Sequence, residues 1–444
     1  MSSRDPEKEI RVQPERVKQF FMMLVFVLSF SGAAAAQVIN YPVGSPTSTS
    51  GAGNARTDPD NFFLRNNIGG MTEFPSRAEE ETGKLGVAGR NQWHFQADLQ
   101  LATYRFSRDF AVPGLGPVSS DSRLGFPGFP VEAVYVAGSH RYAFGIGTYT
   151  MYAFESRLKD PASLGPFATY FDTRVASNDL AIGASVRLHP KISVGASFII
   201  GRSYVVISQP NPALASIGIL RQDRLDVSDW GAPGASVGVH YRPTERLSFG
   251  FNFKTQRSYH LDGTLTTAIP VVTPGGLQII PVKPEVSVNL KPPRDYEIGF
   301  QYLPTDRVHL FGDFRYYEYP RTFQTIDVQD RQTGLVLFSL RLDAFDVRSV
   351  RVGGIYDWNR ATKLEFGFAW TNNGFPAFAI TPGTINTGGV DISAGISKRF
   401  HQYWLNFGAA GVIGFNRTIT PVENPRFPGE YSGHGVMFNF GFRW

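Results

Sequence analysis

Catalysis by a protein needs a nucleophile beside a base, or a set of metal ligands, within reach of one another. This chain of 444 residues has no Cys and eight His. Thiolate chemistry, disulfides and Cys-based metal sites are therefore excluded. His140, His189 and His401 fall in presumptive tight turns, and His94 and His434 fall at opposite ends of the segments that would close a barrel. A lipase-like Ser/His pair finds no support there, and no metal-ligand spacing or phosphate-cradling loop occurs. The expectation is a protein that is not an enzyme, with no catalytic residue, metal or cofactor. What the residues offer instead is apolar surface in unusual places. One connection carries Asn211-Pro-Ala-Leu-Ala-Ser-Ile-Gly-Ile-Leu220, followed by Arg221 and Arg224. Another carries Ala268-Ile-Pro-Val-Val272 and Leu277-Gln-Ile-Ile-Pro-Val282. Exposed loops are normally polar, so such runs need a reason. They either pack together as a cap or form a groove for a greasy solute, and the two are compatible. Leu214, Ile217, Ile219, Leu220, Leu277, Ile279 and Ile280 are the candidate apolar contacts. Arg221 and Arg224 are candidates to pair with a carboxylate head group.

The elements that would hold these loops show a period of two. In Gln402–Phe415, Tyr403, Leu405, Phe407, Ala409, Gly411, Ile413 and Phe415 share a face, opposite Trp404, Asn406, Gly408 and Gly414. In Tyr431–Trp444, Val436, Phe438, Phe440, Phe442 and Trp444 oppose Asn439, Gly441 and Arg443. Alternation of this kind marks a β-strand. One face is aromatic and the other small or polar, which fits a strand with lipid outside and a polar lumen inside. Leu247, Phe249, Phe251 and Phe253 repeat the pattern against Ser248, Gly250, Asn252 and Lys254. So do Leu364, Phe366, Phe368 and Trp370 against Glu365, Gly367 and Ala369, and Trp93, Phe95, Leu99 and Leu101 against His94, Gln96, Asp98 and Gln100. A charge on the lipid face costs ~2–4 kcal/mol at mid-membrane. Asp98, Lys254, Asp313, Arg315, Arg351, Glu365 and Asp391 should therefore point inward, where mutual salt bridges are the favoured role.

Strands are expected at 91–106, 129–138, 142–157, 173–188, 191–207, 232–242, 246–258, 295–303, 307–319, 346–358, 361–372, 388–399, 402–415 and 431–444. Their connections alternate between short turns, such as Ser139-His140-Arg141 and Asn359-Arg360, and long loops at 107–128, 158–172, 208–231, 259–294, 320–345, 373–387 and 416–430. Short turns at one end, long loops at the other and an even count define an all-β fold: a transmembrane antiparallel β-barrel of about 14 strands. No later segment has the apolar run of ~20 residues that a spanning helix needs, and a closed barrel is the other way to satisfy every backbone group in lipid.

Ahead of the strands, Arg11, Arg16 and Lys18 precede the apolar run Phe20–Phe30 and the small residues Ser31–Ala36. Residues 1–36 read as a signal peptide. Residues 37–90 lack any period and are rich in Gly, Ser, Thr, Asn and Pro; ahead of a barrel they can fold inside the lumen as a hatch. Residues 91–444 form the barrel. The net charge of +5 is spread along the chain, with no basic block of the nucleic-acid-binding kind.

Several segments resemble a known family. Gly51-Ala-Gly-Asn-Ala55, Asp58-Pro-Asp60, Phe62-Phe63 and Asn67-Ile-Gly-Gly-Met71 are similar to the N-terminal pattern of the long-chain fatty-acid transporters of the FadL/TodX type, with Ile68 and Gly69 where that pattern has Pro-Ala. Pro130-Val-Glu-Ala-Val-Tyr-Val136, Gly145-Ile-Gly147, Leu188-His-Pro-Lys-Ile-Ser-Val-Gly-Ala196, Gly238-Val-His-Tyr-Arg-Pro243 and Phe249-Gly-Phe-Asn-Phe-Lys-Thr255 resemble its successive hairpins. Phe366-Gly-Phe-Ala-Trp370 and Gly429-Glu-Tyr-Ser-Gly-His434 resemble the approach to its last strands. The resemblance implies a fourteen-stranded barrel with an N-terminal lumenal hatch, moving hydrophobic compounds such as long-chain fatty acids across the bacterial outer membrane. It also implies hatch roles for Asp58, Asp60, Asn67, Gly70 and Met71. Gly145 and Gly147 lie in the strand that is kinked in the family and are a candidate lateral gate; the alternative is that they make room for the hatch. Implied partners are the hydrophobic solute, outer-membrane lipid and the barrel assembly machinery, which would read the aromatic C-terminal strand. A general porin, or an adhesin whose long loops bind a partner, are the rival readings.

Overall fold

The computed structural model describes residues 53–56, 61–74, 91–112, 116–137, 140–159, 170–211, 214, 217–219, 221–319, 324–380, 388–401 and 403–444. The expected signal peptide, and Asp58, Asp60 and Leu220, lie outside them. Strand after strand keeps the aromatic side out and the polar side in, and closure follows from pairing the first strand with the last. Its first part is β1 (Gln92–Val112), β2 (Gly116–Gly128), β3 (Val131–Val136), β4 (Tyr142–Lys159), β5 (Tyr170–His189) and β6 (Ile192–Pro210). There follow β7 (Gln222–Trp230), β8 (Gly234–Thr244), β9 (Leu247–Lys254), β10 (Tyr259–Thr273), β11 (Gly276–Val282), β12 (Glu285–Leu290), β13 (Asp295–Thr305) and β14 (Val308–Tyr317). The rest is β15 (Thr325–Asp330), β16 (Val336–Arg341), β17 (Val347–Asn359), β18 (Thr362–Thr371), β19 (Gly389–Phe400), β20 (Tyr403–Gly414), β21 (Arg417–Ile419) and β22 (Gly429–Arg443).

All pairings are antiparallel. β1 meets β22 in continuous register from Gln96↔Arg443 to Asp109↔Glu430, which closes the wall. β2 and β3 together form one wall strand against β1, interrupted at 129–130. Counted this way the chain is a closed barrel of 14 strands. β7, β10, β11, β12, β15 and β16 are hairpins that prolong the wall beyond the long-loop end.

Here the expected boundaries need correction. The loops at 107–128 and 259–294 are largely strand, and those at 208–231 and 320–345 are about half strand. Past the membrane both faces of a strand meet water or protein, so the lipid-facing aromatic signal that marks the wall strands disappears there. Turn chemistry still marks the hairpins: Pro274-Gly275 joins β10 to β11 through Thr273↔Gly276, as its residue types favour.

The alternation itself stands as expected. Phe440, Phe438, Phe251, Phe249, Phe366 and Phe368 are exposed on the outer face, while Asn439, Asn252, Ser248 and Glu365 are buried inside. Tyr296 stands with its ring 5.0 Å from Phe253 and 6.0 Å from Tyr316 at one rim. Tyr403 and Phe442, 5.5 Å apart, stand near the short-turn rim. Two aromatic girdles bounding an apolar band are what a bilayer imposes on a barrel.

Candidate functional site

Much of the inward face of the wall is polar. Asp98, Lys254, Asp313, Arg315, Arg351 and Glu365 are buried on it. Arg315 donates from Nε and Nη2 to Asp295 at 2.9 and 2.7 Å and lies 3.2 Å from Glu297. Lys254 Nζ sits 3.8 Å from the same Asp295. These are the mutual ion pairs that strand alternation predicts.

Asp313 does something else. Its Oδ2 accepts the N–H groups of Gly53 and Asn54 at 2.5 and 3.0 Å. Residues 53–56 and 61–74 are buried inside the barrel and bridge its wall. Glu132 of β3 accepts the N–H groups of Phe63 and Leu64 at 3.1 and 2.8 Å. Asn67 Oδ1 accepts from Gly69 N–H, and its Nδ2 donates to the carbonyls of Asn54 and Val239 at 2.9 and 3.0 Å. Gly70 N–H returns to the Asn67 carbonyl. Ser248 donates to the Ala55 carbonyl. At the far end, Glu73 is gripped by Arg187 at 2.9 Å and Arg242 at 3.2 Å. Burial alone would raise the Glu73 carboxyl, but the guanidiniums of Arg242 and Arg187 outweigh it and hold the group below its ordinary range. Arg65 is pulled down to about 10 by burial and by the nearby Arg315.

The segment also has a dry side. Phe63, Leu64, Ile68, Met71 and Phe74 pack with Val134, Val136, Ala143, Tyr149, Ala181 and Ile199 of β3 to β6. Gly145 and Gly147 belong to this contact. A Cβ at Gly145 would lie 3.0 Å from Met71 Sδ, and one at Gly147 would lie 3.3 Å from Leu64 Cδ1 and 2.9 Å from the Val131 carbonyl. Both glycines remain paired with β3, to Val134 and Glu132. Their placement is that of residues making room for residues 64 and 71.

The wall is interrupted one step further along. The last β3–β4 pair is Val131↔Thr148, and the only β2–β4 pair among the described residues is Asp121↔Lys159. Between them, residues 149–158 of β4 are paired to β5 and not to β2. A bulge interrupts the β4–β5 register between Thr150 and Tyr152. Bulges re-aim and bend a strand, and this one sits where β4 parts from its neighbour.

Above the segment the lumen changes character. Along β1 the inward face runs from Gln96, Asp98 and Gln100 to Ala102, Tyr104 and Phe106. β14 passes from Asp313 and Arg315 to Tyr317, β20 from Asn406 to Ala410 and Val412, and β22 from Asn439 to Met437. These apolar ends join Leu342, Phe375, Ala379 and Ile380 in one buried cluster. A second cluster on β7, β10 and β12 (Leu225, Val227, Leu261, Leu265, Val286, Val288) meets the first at Ile326.

The loop candidates divide. Leu214 is fully buried, and its N–H is capped by Asn211 Oδ1 at 3.0 Å. Asn211 in turn donates to the Ala268 carbonyl at 2.9 Å, seating this loop on β10. Ile217, Leu277 and Ile280 are exposed, and Ile219 and Ile279 half-buried. Leu277, Ile279 and Ile280 lie on β11 rather than in an irregular loop. Arg221 is exposed, and Arg224 is paired with Asp226 at 3.1 Å. Asn211 joins the two runs directly, and Thr267 beside the second run donates to Asp223 beside the first. Sequence reading missed Glu73, Glu132, Arg187, Arg242, Tyr149 and the upper cluster. The strand register could have exposed some of them: Glu132 is a lone carboxylate in an apolar strand, and the polar-to-apolar switch is written on one face of β1, β14, β20 and β22.

Fold and lumen together define an outer-membrane transport barrel. The profile of the family described as "Outer membrane protein transport protein (OMPP1/FadL/TodX)" matches residues 120–380. The chain belongs to this family, whose members are transport channels and not enzymes. A Pseudomonas aeruginosa FadL homologue superposes with a TM-score of 0.73 at 16% identity, over 92% of this chain and 99% of that one. The toluene transporter TodX of P. putida superposes with a TM-score of 0.67 at 13% identity, over 92% and 99%. TbuX of Ralstonia pickettii, also a toluene transporter, gives 0.64 at 15% identity, over 92% and 98%. At these identities the likeness concerns the fold. No curated protein matches the sequence.

Proposed function

We propose that this chain takes up hydrophobic compounds by capture at its extracellular hairpins, passage down the apolar upper lumen, and exit sideways through the interruption between β2 and β4. The observation that carries this reading is the switch of the inward face from polar to apolar above the N-terminal segment, next to a stretch of wall where β4 is laddered to β5 and not to β2. An apolar solute gains ~25 cal/mol per Å² on leaving water, so it follows the dry face and not the ionic one. Residues 37–90 act as the hatch, with their described part blocking the polar lower lumen. Exposed Ile217, Leu277 and Ile280, with half-buried Ile279, supply the first contact; Leu214 and Ile219 shape the loop under it. Arg221 is the exposed candidate for a carboxylate head, since Arg224 already has Asp226. Long-chain fatty acids and monoaromatic hydrocarbons, the latter carried by the toluene transporters of like fold, are the two substrate forms. The aromatic residues Tyr104, Phe106, Tyr317 and Phe375 of the upper cluster suit either. Residues 1–36 direct export, and the C-terminal strand ending at Trp444 is read by the assembly machinery before the outer face meets lipid.

The test is accumulation of toluene and of a long-chain fatty acid by cells with and without the gene, beside a small hydrophilic solute. Gene-dependent uptake of the apolar solutes without the hydrophilic one is the expected result. Porin-like leakage of the hydrophilic solute at equal apolar uptake would overturn the reading.

A further inference from the structure

Tyr149 occupies a singular position in the wall. It is the first residue of β4 beyond the last β3 partner, Thr148↔Val131, and it precedes the bulge after Thr150. On its other side it pairs with Asp179 of β5, which is locked by two 2.8 Å hydrogen bonds from Arg257. The Tyr149 backbone is therefore held in the ladder on the β5 side and has no β3 partner on the other. The ring points inward and is buried, 4% exposed. Two cations approach it: Arg65 Cζ of the N-terminal segment lies 5.8 Å from the ring centroid and Lys254 Nζ of β9 lies 5.7 Å away. Both distances are within the ~6 Å at which a ring quadrupole attracts a cation. Arg65 is fully buried, where such attraction is least screened. The same ring packs in the apolar cluster with Leu64 and Met71.

We propose that Tyr149 is the positioning residue that couples the N-terminal segment to the open edge of the wall. The ring holds Arg65 while the segment is seated; movement of the segment removes the cation and frees the ring from the edge of the interruption. This rests on the lateral exit proposed above, and deepens it by naming the contact through which seating of the segment is felt at that exit. The contact needs the π-face and not the hydroxyl, so substitutions that separate the two test it.

The chain has no native cysteine, so Met71→Cys supplies a single buried thiol whose reaction with a hydrophilic maleimide, in the full-length protein in lipid vesicles, reports displacement of the segment. In that background Tyr149→Leu and Arg65→Gln should each raise the modification rate about threefold or more, as loss of a buried cation–π contact predicts. The double variant should react no faster than either single one, because both remove one shared interaction. Tyr149→Phe should react like the parent. Additive rates, a parental rate for Tyr149→Leu, or equal rates for Tyr149→Phe and Tyr149→Leu would overturn the coupling. Should Tyr149→Leu fail to give the heat-resistant folded form, Arg65→Lys against Arg65→Gln decides: equal acceleration by both overturns it. The exit route is read separately. Phe129→Cys and Thr150→Cys would face each other if the β3–β4 register continued, so bridging them with a bifunctional thiol reagent should abolish uptake. Uptake that survives bridging, with the Met71→Cys pattern intact, would remove the lateral route and leave the coupling standing.

Discussion

The lower and upper halves of the lumen are built by the same strands and obey opposite rules. Below, the inward face of β13 and β14 presents Asp295, Glu297, Asp313 and Arg315, and the N-terminal segment is hung from the wall carboxylates Asp313 and Glu132 and, through its own Glu73, from Arg187 and Arg242. Above, the same faces present Tyr104, Phe106, Tyr317, Val412 and Met437 in one buried apolar cluster, whose ring faces at Tyr317 and Tyr431 are approached by Arg315 and Arg108 at 5.4 and 5.9 Å. The segment lies at the change, with its polar anchors around Glu73 and Asp313 and its apolar residues against β3 to β6. A polar half fixes things in place through directional bonds, while an apolar half lets a solute slide because dispersion contacts have no preferred partner. The comparison teaches that alternation decides which side of a strand faces the lumen, while residue choice along that side decides what the lumen does.

The comparison breaks most severely if the lower ion pairs are removed. Arg315→Leu leaves Asp295 and Glu297 buried without their guanidinium, and breaking a buried pair this way costs about 3–5 kcal/mol. Loss of the heat-resistant folded form in detergent at moderate temperature is the expected result; unchanged stability would show that the lower lumen is wet enough to dissolve its own charges. Next in size is a carboxylate placed in the upper half. Val412→Asp should fold, since the face is lumenal, yet lower apolar-solute uptake about tenfold or more, because an unpaired charge in an apolar site costs several kcal/mol. Equal uptake would show that the solute avoids this cluster.

The Glu73 anchor gives a pH dependence whose sign follows from its neighbours. Because Arg242 and Arg187 hold its carboxyl below the ordinary range, the anchor contributes fully above that range and is lost as pH falls through the depressed value. Reaction of the Met71→Cys thiol should thus stay slow from neutral pH down to about 5 and accelerate only in stronger acid, near or below the ordinary ~4.3 of Glu, when rates are corrected for thiolate content. Glu73→Gln should be fast throughout and lack that acid step. The smallest effect is expected at the hairpin tips. Ile217→Ser with Leu277→Ser and Ile280→Ser removes exposed apolar area worth ~25 cal/mol per Å² to a captured solute, and should slow uptake about two- to fivefold with normal amounts of folded barrel.

What the sequence determined on its own was everything governed by lipid. Phe438, Phe440 and Phe442 against Asn439, Gly441 and Arg443 give strand, facing and barrel together, because a bilayer tolerates one pattern on one side and closure is then compulsory. The short turns were equally legible: His140 and His401 sit there with φ of 53° and 55°. The hairpins β10–β11 and β15–β16 were not, since water on both faces leaves no period to read. Nor were the anchors of residues 53–56 and 61–74, because their bonds run to partners such as Asp313, 260 positions from Gly53, and local sequence carries no trace of so distant a partner. The join of Ala102, Tyr317, Val412 and Phe375 into one apolar chamber, the parting of β4 from β2, and the approach of Arg65 to Tyr149 were decided by closure alone. Curling the sheet into a ring brings these inward side chains together, and no period along any single strand encodes what stands opposite.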